Sequence, residues 1–167
     1  VLPGTVVFKL TPAVPVGVLE YKGGLAFVDN SAKVLSPADE QTAGSLMRLQ
    51  TPEPSSVRPG YVLEFGNADD GDAYDAETVN LFISMLSGLE YSGIKDITVM
   101  NLRDPNNVTL LYQDRIMIKL GVPSQVEKRL KLAAVVIEKE NAFSAFQKGE
   151  IDLTVGGAVY FEPQAEI

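Results

Sequence analysis

The sequence contains no cysteine and no histidine, and these two absences exclude much of the chemistry that enzymes use. Thiol nucleophiles, thiolate or imidazole metal ligands, and triads with a histidine base all need one of these side chains. Any hydrolytic reaction would therefore have to rest on carboxylates. The lack of cysteine also excludes disulfides, which suits an extracytoplasmic surface and the cytosol equally and leaves the compartment open.

Long apolar runs and basic runs are missing as well. No stretch of 18 apolar residues occurs, so no segment of the sequence has the length and composition of a membrane-spanning helix. Fourteen basic residues stand against 22 acidic ones, which gives a net charge of -8. Because no run of five or six lysines or arginines forms a phosphate-binding stripe, we do not expect nucleic acid as a partner. The first residue is Val1 rather than methionine, so we expect the chain to be a fragment of a longer protein.

The residues that are present predict one α+β domain. A chain of 167 residues with 46% hydrophobic content can bury a single sizeable core. We predict a mostly antiparallel, mixed sheet packed against two main helices and ending in a C-terminal hairpin with an edge strand. The predicted strands are, in order, residues 5–10, 16–21, 25–28, 33–35, 46–49, 61–65, 94–102, 107–112, 115–120, 151–155 and 158–161.

Turn residues and helix signals place these elements. Gly23-Gly24 and the segment 29–31 tolerate the backbone angles of tight turns and predict a meander. The first helix is predicted to begin at Asp75, with an apolar face formed by Val79, Phe82, Ile83, Leu86 and Leu89. The second is predicted to begin at Ser124, which forms a capping box with Glu127, and to bury Val126, Leu130, Ala133, Ala134 and Ile137. In the strand 115–120, the even-numbered residues are expected to face the core and the odd-numbered residues solvent.

The densest acidic segment, Asn67 to Asp75, is the first place to look for calcium. An EF-hand loop needs an oxygen ligand at position 1 and glycine at position 6, and with Gly71 at position 6 the first position would be Gly66. The spacing fails, so a solvated loop near a helix N-terminus is expected, and cation binding by Asp69 to Asp75 stays open. The sequence predicts no metal site and no cofactor.

Several aspartates lie near predicted strand ends and could pair for acid–base chemistry of the glycosidase kind. They are Asp29, Asp96, Asp104, Asp114 and Asp152. Turns ordinarily hold aspartate in such places because the carboxylate binds nearby backbone N–H groups. An extracytoplasmic, carboxylate-dependent enzyme or ligand-binding domain acting on cell-wall material is therefore the alternative function. It requires two carboxylates in one cleft.

The end of the chain offers a surface for a protein partner. The run Ile151 to Val155, the Gly156-Gly157 turn and the run Ala158 to Phe161 predict a closing hairpin whose last strand has an open edge. Tyr160 and Phe161 are adjacent, so one can join the core while the other is exposed. Glu162 and Pro163 would limit how far an added strand could pair. The competing interpretation is that the chain's own residues cover this edge.

The order of these segments resembles the extracytoplasmic β domain of the bacterial cell-division protein family FtsQ, called DivIB in Gram-positive bacteria. The similar segments are Pro15 to Leu35, with Pro-x-x-x-Leu-x-Tyr-x-Gly-Gly-Leu-x-x-Val-Asp-x-x-x-Lys-Val-Leu, then Ile116 to Leu130, with Ile-x-Ile-x-Leu-Gly and a following helix, and finally Ile151-Asp-Leu. The specificity of the resemblance lies in the order of the motifs. A module of outer-envelope protein transport related to POTRA domains is a weaker interpretation, because the second half of the chain is too long for it.

The resemblance implies a membrane protein with one spanning helix, a POTRA domain and then this β domain, on the extracytoplasmic side at the division septum. Residues 1–12 would be the last POTRA strand and a connector, residues 13–163 the β domain, and residues 164–167 a tail. It implies no catalytic activity. The implied partners are the coiled-coil division proteins FtsL and FtsB or DivIC.

The resemblance also implies which residues bind the partner. The closing strands of the family accept a strand from it, which corresponds here to Leu153, Thr154, Val155, Ala158, Val159, Tyr160 and Phe161. Three positions depart from the family pattern. Thr154 follows Asp-Leu where arginine is usual, Val155 stands where an aromatic often follows, and Ala32 replaces a glycine before Lys33.

Overall fold

A nine-stranded mixed sheet with two long helices makes up the described part of the chain. The computed structural model describes residue 4 and residues 12–66, 76–155 and 159–164. The strands are β1 (Gly17–Tyr21), β2 (Gly24–Val28), β3 (Val34–Ala38), β4 (Met47–Gln50), β5 (Ile97–Asn101), β6 (Val108–Tyr112), β7 (Ile116–Gly121), β8 (Gly149–Asp152) and β9 (Phe161–Pro163), and the helices are α1 (Glu40–Ala43), α2 (Ala76–Ser92) and α3 (Val126–Phe143). The strand order is β3-β2-β1-β4-β5-β6-β7-β8-β9. The predicted fold class is confirmed.

The N-terminal meander forms as the turn residues predicted. β1 pairs with β2 in antiparallel register from Tyr21↔Gly24 onward, and β2 pairs with β3. In the second turn the Asp29 carboxylate accepts hydrogen bonds from the amides of Ser31 (2.9 Å) and Lys33 (3.0 Å). Such local bonds fix a turn without help from distant residues.

Parallel pairs make the sheet mixed. β1 and β4, β4 and β5, and β7 and β8 are parallel neighbours, so each pair needs a crossover connection. α2 lies in the crossover between β4 and β5, and α3 lies in the crossover between β7 and β8. Because such crossovers are right-handed, both helices cover the same face of the sheet, where they contact each other.

The buried side of α2 differs from the predicted one. Phe82 and Leu89 are buried as expected, but Met85 joins them and Ile83 is 37% exposed. The prediction placed the apolar stripe too far toward Ile83, because the sequence does not show which side of the helix α3 approaches. Gly88 marks that side, since a Cβ atom there would lie 2.6 Å from Val126 Cγ1. In α3, Val126, Leu130, Ala133 and Ile137 are buried as predicted, while Ala134 is half-buried.

The alternation in β7 is confirmed, with one exception just before the strand. Ile116, Ile118 and Leu120 are buried, while Met117 and Lys119 are half-buried on the face without the long helices. Arg115 was expected on that solvated face but is only 9% exposed. The prediction for Arg115 was wrong because its guanidinium binds to the end of α3.

The capping box at Ser124 and Glu127 is absent. The N-cap of α3 is Gln125, one residue after the predicted Ser124. The φ of Gln125 is 49°, in the left-handed region, and its side chain makes no cap hydrogen bond. The Ser124 carbonyl instead accepts a hydrogen bond from Arg129 at 3.2 Å, which fixes the loop in another shape. The chain does form a capping box, but at Asp39 and Thr42 in α1, a helix that the prediction missed.

Four further predictions concern residues 61–75 and the N-terminal segment. The predicted strand 61–65 forms only isolated bridges, Lys33↔Val62 and Ser56↔Glu64. The predicted cap at Asp75, the acidic segment 67–75 and the predicted strand 5–10 lie outside the described residues.

Candidate partner-binding edge

The sheet ends in a hairpin whose strands differ from the predicted ones. β8 pairs with β9 through Gly149↔Pro163, Glu150↔Glu162 and Ile151↔Phe161. The strand predicted at 158–161 therefore begins only at Phe161 and runs on to Pro163, and the strand predicted at 151–155 ends at Asp152. Of the residues between the two strands, the structure describes 153–155 and 159–160.

Local hydrogen bonds explain why the chain leaves the sheet after Asp152. The Asp152 carboxylate accepts a hydrogen bond from the Thr154 amide at 2.7 Å and another from the Thr154 hydroxyl at 2.6 Å. These two bonds turn the backbone at Leu153, because an aspartate that binds the amide two residues on favours a turn over a strand. The Asp-Leu-Thr sequence carried this signal, and the prediction of a strand through Val155 overlooked it.

Arg129 holds the same end of the hairpin from the other side. Its guanidinium donates hydrogen bonds to the carbonyls of Leu153 (2.8 Å), Val122 (2.8 Å) and Ser124, and also to that of Leu120. One side chain from α3 thus joins the end of β7, the loop before α3 and the end of β8. Burial lowers the pKa of Arg129 and the nearby Asp152 opposes that shift, but an arginine stays charged at neutral pH.

Arg115 plays the matching role at the start of β8. Its guanidinium donates to the Gln147 carbonyl at 3.0 Å and to the Asn141 side-chain oxygen, and it lies 5.3 Å from the centre of the Tyr112 ring. Its own carbonyl accepts the Gly149 amide at 3.0 Å. The two arginines therefore fix β8 at both ends, which gives β9 a rigid strand to pair with.

The outer side of β9 has a defined pattern of backbone groups. The Gln164 amide donates to the Lys148 carbonyl at 2.9 Å, so Gln164 and Glu162 direct their backbone groups toward β8. Because these groups alternate along an antiparallel strand, those of Phe161 and Pro163 point away from β8. Proline has no N–H, so the outward donor of β9 is the Phe161 amide. Within the described part of the chain, no strand lies beyond β9.

The predicted partner-binding residues fall into two groups. Leu153, Thr154, Val155 and Val159 line a cavity of about 590 Å³ at the end of the hairpin, together with Arg129. Leu153 belongs to the core, whereas Val155 is 71% exposed. Tyr160 and Phe161 form the second group, at the start of β9.

The two aromatic residues divide as the sequence predicted. Tyr160 is 70% exposed, while Phe161 is half-buried and packs against the core. Ala158 lies outside the described residues. Leu153 and Phe161 thus pack in or against the core of the domain. Val155 and Tyr160 are the predicted side chains most exposed to a partner.

Phe146 is a candidate contact that the sequence analysis missed. It is 90% exposed and lies two residues before Lys148, whose carbonyl holds Gln164. Exposed apolar side chains therefore occur near both ends of β9, with Tyr160 at one end and Phe146 at the other. A phenylalanine among small and polar residues in the link between α3 and β8 was the signal that could have identified it.

Charged side chains cover the solvated face beside the edge. Lys119 forms an ion pair with Glu150 at 2.5 Å, and Glu162 lies directly across from Glu150. A hydrogen bond from Lys119 to Glu150 raises the lysine's pKa, and the charges of Asp152 and Glu162 add to this shift. Three carboxylates thus act on the Lys119 ammonium, and one of them, Asp152, also lies near the Arg129 guanidinium.

Three of the five aspartates predicted near strand ends are held by backbone contacts, while Asp96 accepts a hydrogen bond from the Gln113 side chain at 3.2 Å and lines a cavity of about 400 Å³ with Glu138. Asp29, Asp104 and Asp152 each accept a hydrogen bond from an amide two residues on. Desolvation raises the pKa of Asp29, but hydrogen bonds from Ser31 and Lys33 outweigh it and the pKa is lowered. A general acid needs the opposite shift. Across the described ranges, no group of three acidic residues could hold a metal ion, and no helix has the length and apolarity to cross a membrane.

We expect the turn at Asp152 to make the stability of the hairpin depend on pH. The Thr154 hydroxyl and amide lower the pKa of Asp152, so the carboxylate contributes stability above its ordinary pKa of about 4 and loses it as pH falls through the lowered value. Thr154→Val removes the hydroxyl donor and should raise the carboxyl pKa. Carbon-detected NMR titration of Asp152 in both proteins measures the shift, and an identical pKa in the variant would contradict this account.

No protein-family model and no curated protein sequence matches this chain.

Proposed function

We propose that this domain is a non-enzymatic scaffold of the bacterial division machinery that binds a coiled-coil membrane partner by strand addition along β9. The partners would be division proteins of the FtsL and FtsB or DivIC kinds, bound on the extracytoplasmic side of the cell membrane at the septum. The observation that carries the proposal is the edge of the sheet. β9 is paired on one side only within the described residues, and its Phe161 amide points outward.

The fold supports the proposal through the elements that carry the resemblance. The meander from Gly17, the strand with Ile116 and Ile118, the helix after it and the strand with Ile151 occur in the expected order. Ala32 occupies a position where the family has glycine, and its φ of 60° lies in the region that favours glycine. The rigid attachment of β8 by Arg115 and Arg129 also suits an edge that must receive another strand without rearranging.

The experiment compares Phe161→Pro with Phe161→Ala in binding to purified ectodomains of FtsL, FtsB or DivIC type. Both variants lose the ring, but only the proline variant also loses the outward N–H, and proline is tolerated at a sheet edge. We expect Phe161→Ala to weaken binding modestly and Phe161→Pro to weaken it by about a further tenfold, because one hydrogen bond in the ladder is removed. Isothermal titration calorimetry measures both affinities.

Two outcomes would count against the proposal. Equal affinities of the alanine and proline variants would mean that the partner does not use the Phe161 amide. No binding of any such ectodomain to the unaltered protein would remove the proposed function. Tyr160→Ala and Phe146→Ala belong in the same series, because they report whether the exposed aromatics beside the edge add side-chain contacts.

A further inference from the structure

We infer that the strand received by β9 carries lysine or arginine on the solvated face, opposite Glu162. The inference rests on the proposed strand addition and adds the chemistry of the partner. It starts from the two faces of β9, which an added strand would continue. Phe161 is paired with Ile151 and packs against the core on the helix side, while Glu162 is paired with Glu150 on the solvated side.

The residues of the added strand that lie opposite Phe161 and Glu162 would contact these two side chains. Directly opposite side chains of neighbouring strands lie about 5 Å apart, close enough for charges to interact. A residue opposite Phe161 extends the apolar layer of the helix side. A residue opposite Glu162 enters the row that already contains Glu150.

That row has an excess of negative charge. Glu150, Asp152 and Glu162 act on the ammonium of Lys119, which forms its ion pair with Glu150, and Asp152 also lies near Arg129. Glu162 itself has no ion pair within the described part of the chain. Like charges directly across a sheet destabilise it, so a further acidic strand would be disfavoured and a basic strand would relieve the repulsion. The net charge of -8 also steers basic partners toward the protein.

The same geometry argues against a second copy of this chain as the occupant. If two β9 edges paired in antiparallel fashion, Glu162 of one copy would lie near Glu162 of the other. Pro163 would in addition leave an outward carbonyl without a matching donor. Charged side chains and proline on an edge are the usual protection against such self-pairing. The charge and the proline of β9 therefore disfavour pairing with a second copy of β9 and favour a basic partner strand.

The test uses two blocked eight-residue peptides, Thr-Lys-Val-Lys-Val-Lys-Val-Thr and the same peptide with glutamate for every lysine. Because side chains alternate along a strand, each peptide presents valines on one face and charges on the other in either direction. NMR titration follows the Phe161 amide, whose hydrogen exchange should slow when a strand pairs with it. We expect the lysine peptide to bind about tenfold more tightly than the glutamate peptide at low salt, with a smaller difference at high salt.

Variants tie the preference to one side chain. Glu162→Gln should reduce the preference to about threefold or less, and Glu162→Lys should reverse it. Glu138→Gln, an exposed change on α3, alters the net charge equally and should leave the preference intact. Equal binding of both peptides with protection of Phe161 would overturn the charge inference and leave strand addition standing. A preference for the lysine peptide that stays the same in the Glu162 variants would also overturn it. Failure of both peptides to protect the Phe161 amide would count against the proposed binding surface as well.

Discussion

Gly149→Val should detach β9 from the sheet and weaken strand addition at least about tenfold, while the rest of the domain stays folded. A Cβ atom at Gly149 would lie 2.4 Å from the Glu162 carbonyl oxygen and 2.4 Å from Phe161 Cζ. The Glu162 oxygen is a backbone atom and the Phe161 ring is packed against the core, so β9 must move away. Losing the half-buried Phe161 ring removes about 1 to 2 kcal/mol of apolar burial, or roughly 2 to 8 °C in melting temperature.

Hydrogen exchange gives the sharper measurement for this variant. The inward amides of Glu162 and Gln164 should lose protection, whereas the Leu153 amide, which donates to Lys119 at 2.8 Å, should keep it. Affinity for the partner should fall at least about tenfold, because an unpaired β9 must be ordered before it can accept a strand. Gly4→Val is the matched control, since a Cβ atom there meets nothing within 4 Å. Retained protection at Glu162 and Gln164 in Gly149→Val would refute the prediction.

The parts of the fold that the sequence predicted are those fixed by local interactions. The meander follows from Asp29 and the glycine turn at residues 23–24, whose geometry is set within a few residues. The alternation of β7 follows from its isoleucines, which need one buried face. Helix α3 buries the predicted stripe at Leu130 and Ile137, although it begins later than expected.

The parts that could not be predicted depend on residues far apart in the sequence. The parallel pairing of β1 with β4 joins segments separated by a whole meander, and no local pattern encodes it. Arg115 and Arg129 look like ordinary surface residues in the sequence. Their hydrogen bonds form only when α3 lies across β7 and β8.

The candidate edge shows the same division. An open C-terminal edge was predictable, because a final strand has one neighbour by default. Its register was not, since the turn at Asp152 and the pairing of Gly149 with Pro163 shift the strand to Phe161–Pro163. This shift changes which backbone groups are free. The outward backbone N–H of the edge strand is therefore that of Phe161. Glu162 lies in the strand that an added strand would pair with.

Arg129→Ala should be the most destabilising single change outside the apolar core. The guanidinium donates to four carbonyls, those of Leu120, Val122, Ser124 and Leu153. Hydrogen bonds from a charged group contribute about 1.5 to 3 kcal/mol each when measured singly, but bonds made by one side chain are not additive. We expect a loss of about 3 kcal/mol in the free energy of unfolding, or roughly 6 to 12 °C in melting temperature.

Two control variants separate the possible causes of that loss. Arg103→Ala removes an exposed arginine and the same charge, and it should change stability by less than about 0.5 kcal/mol. Arg129→Lys keeps the charge at the same position, but an ammonium group lacks the planar fork that reaches several carbonyls at once. If lysine restores less than half of the lost stability, the geometry of the guanidinium is what matters. Full restoration by lysine would mean that Arg129 acts through its charge on Asp152 alone.

The location of the damage in Arg129→Ala links this residue to the edge. Leu153 is the last residue held before the chain turns away, so its amide should exchange faster when its carbonyl loses Arg129. The end of β8 would then be free to move, and β9 would lose a fixed neighbour. Affinity for an added strand should fall even though Arg129 does not contact it, because binding would have to restore the order that the arginine supplies. Equal affinity in the alanine variant and the unaltered protein would show that the edge is rigid without it.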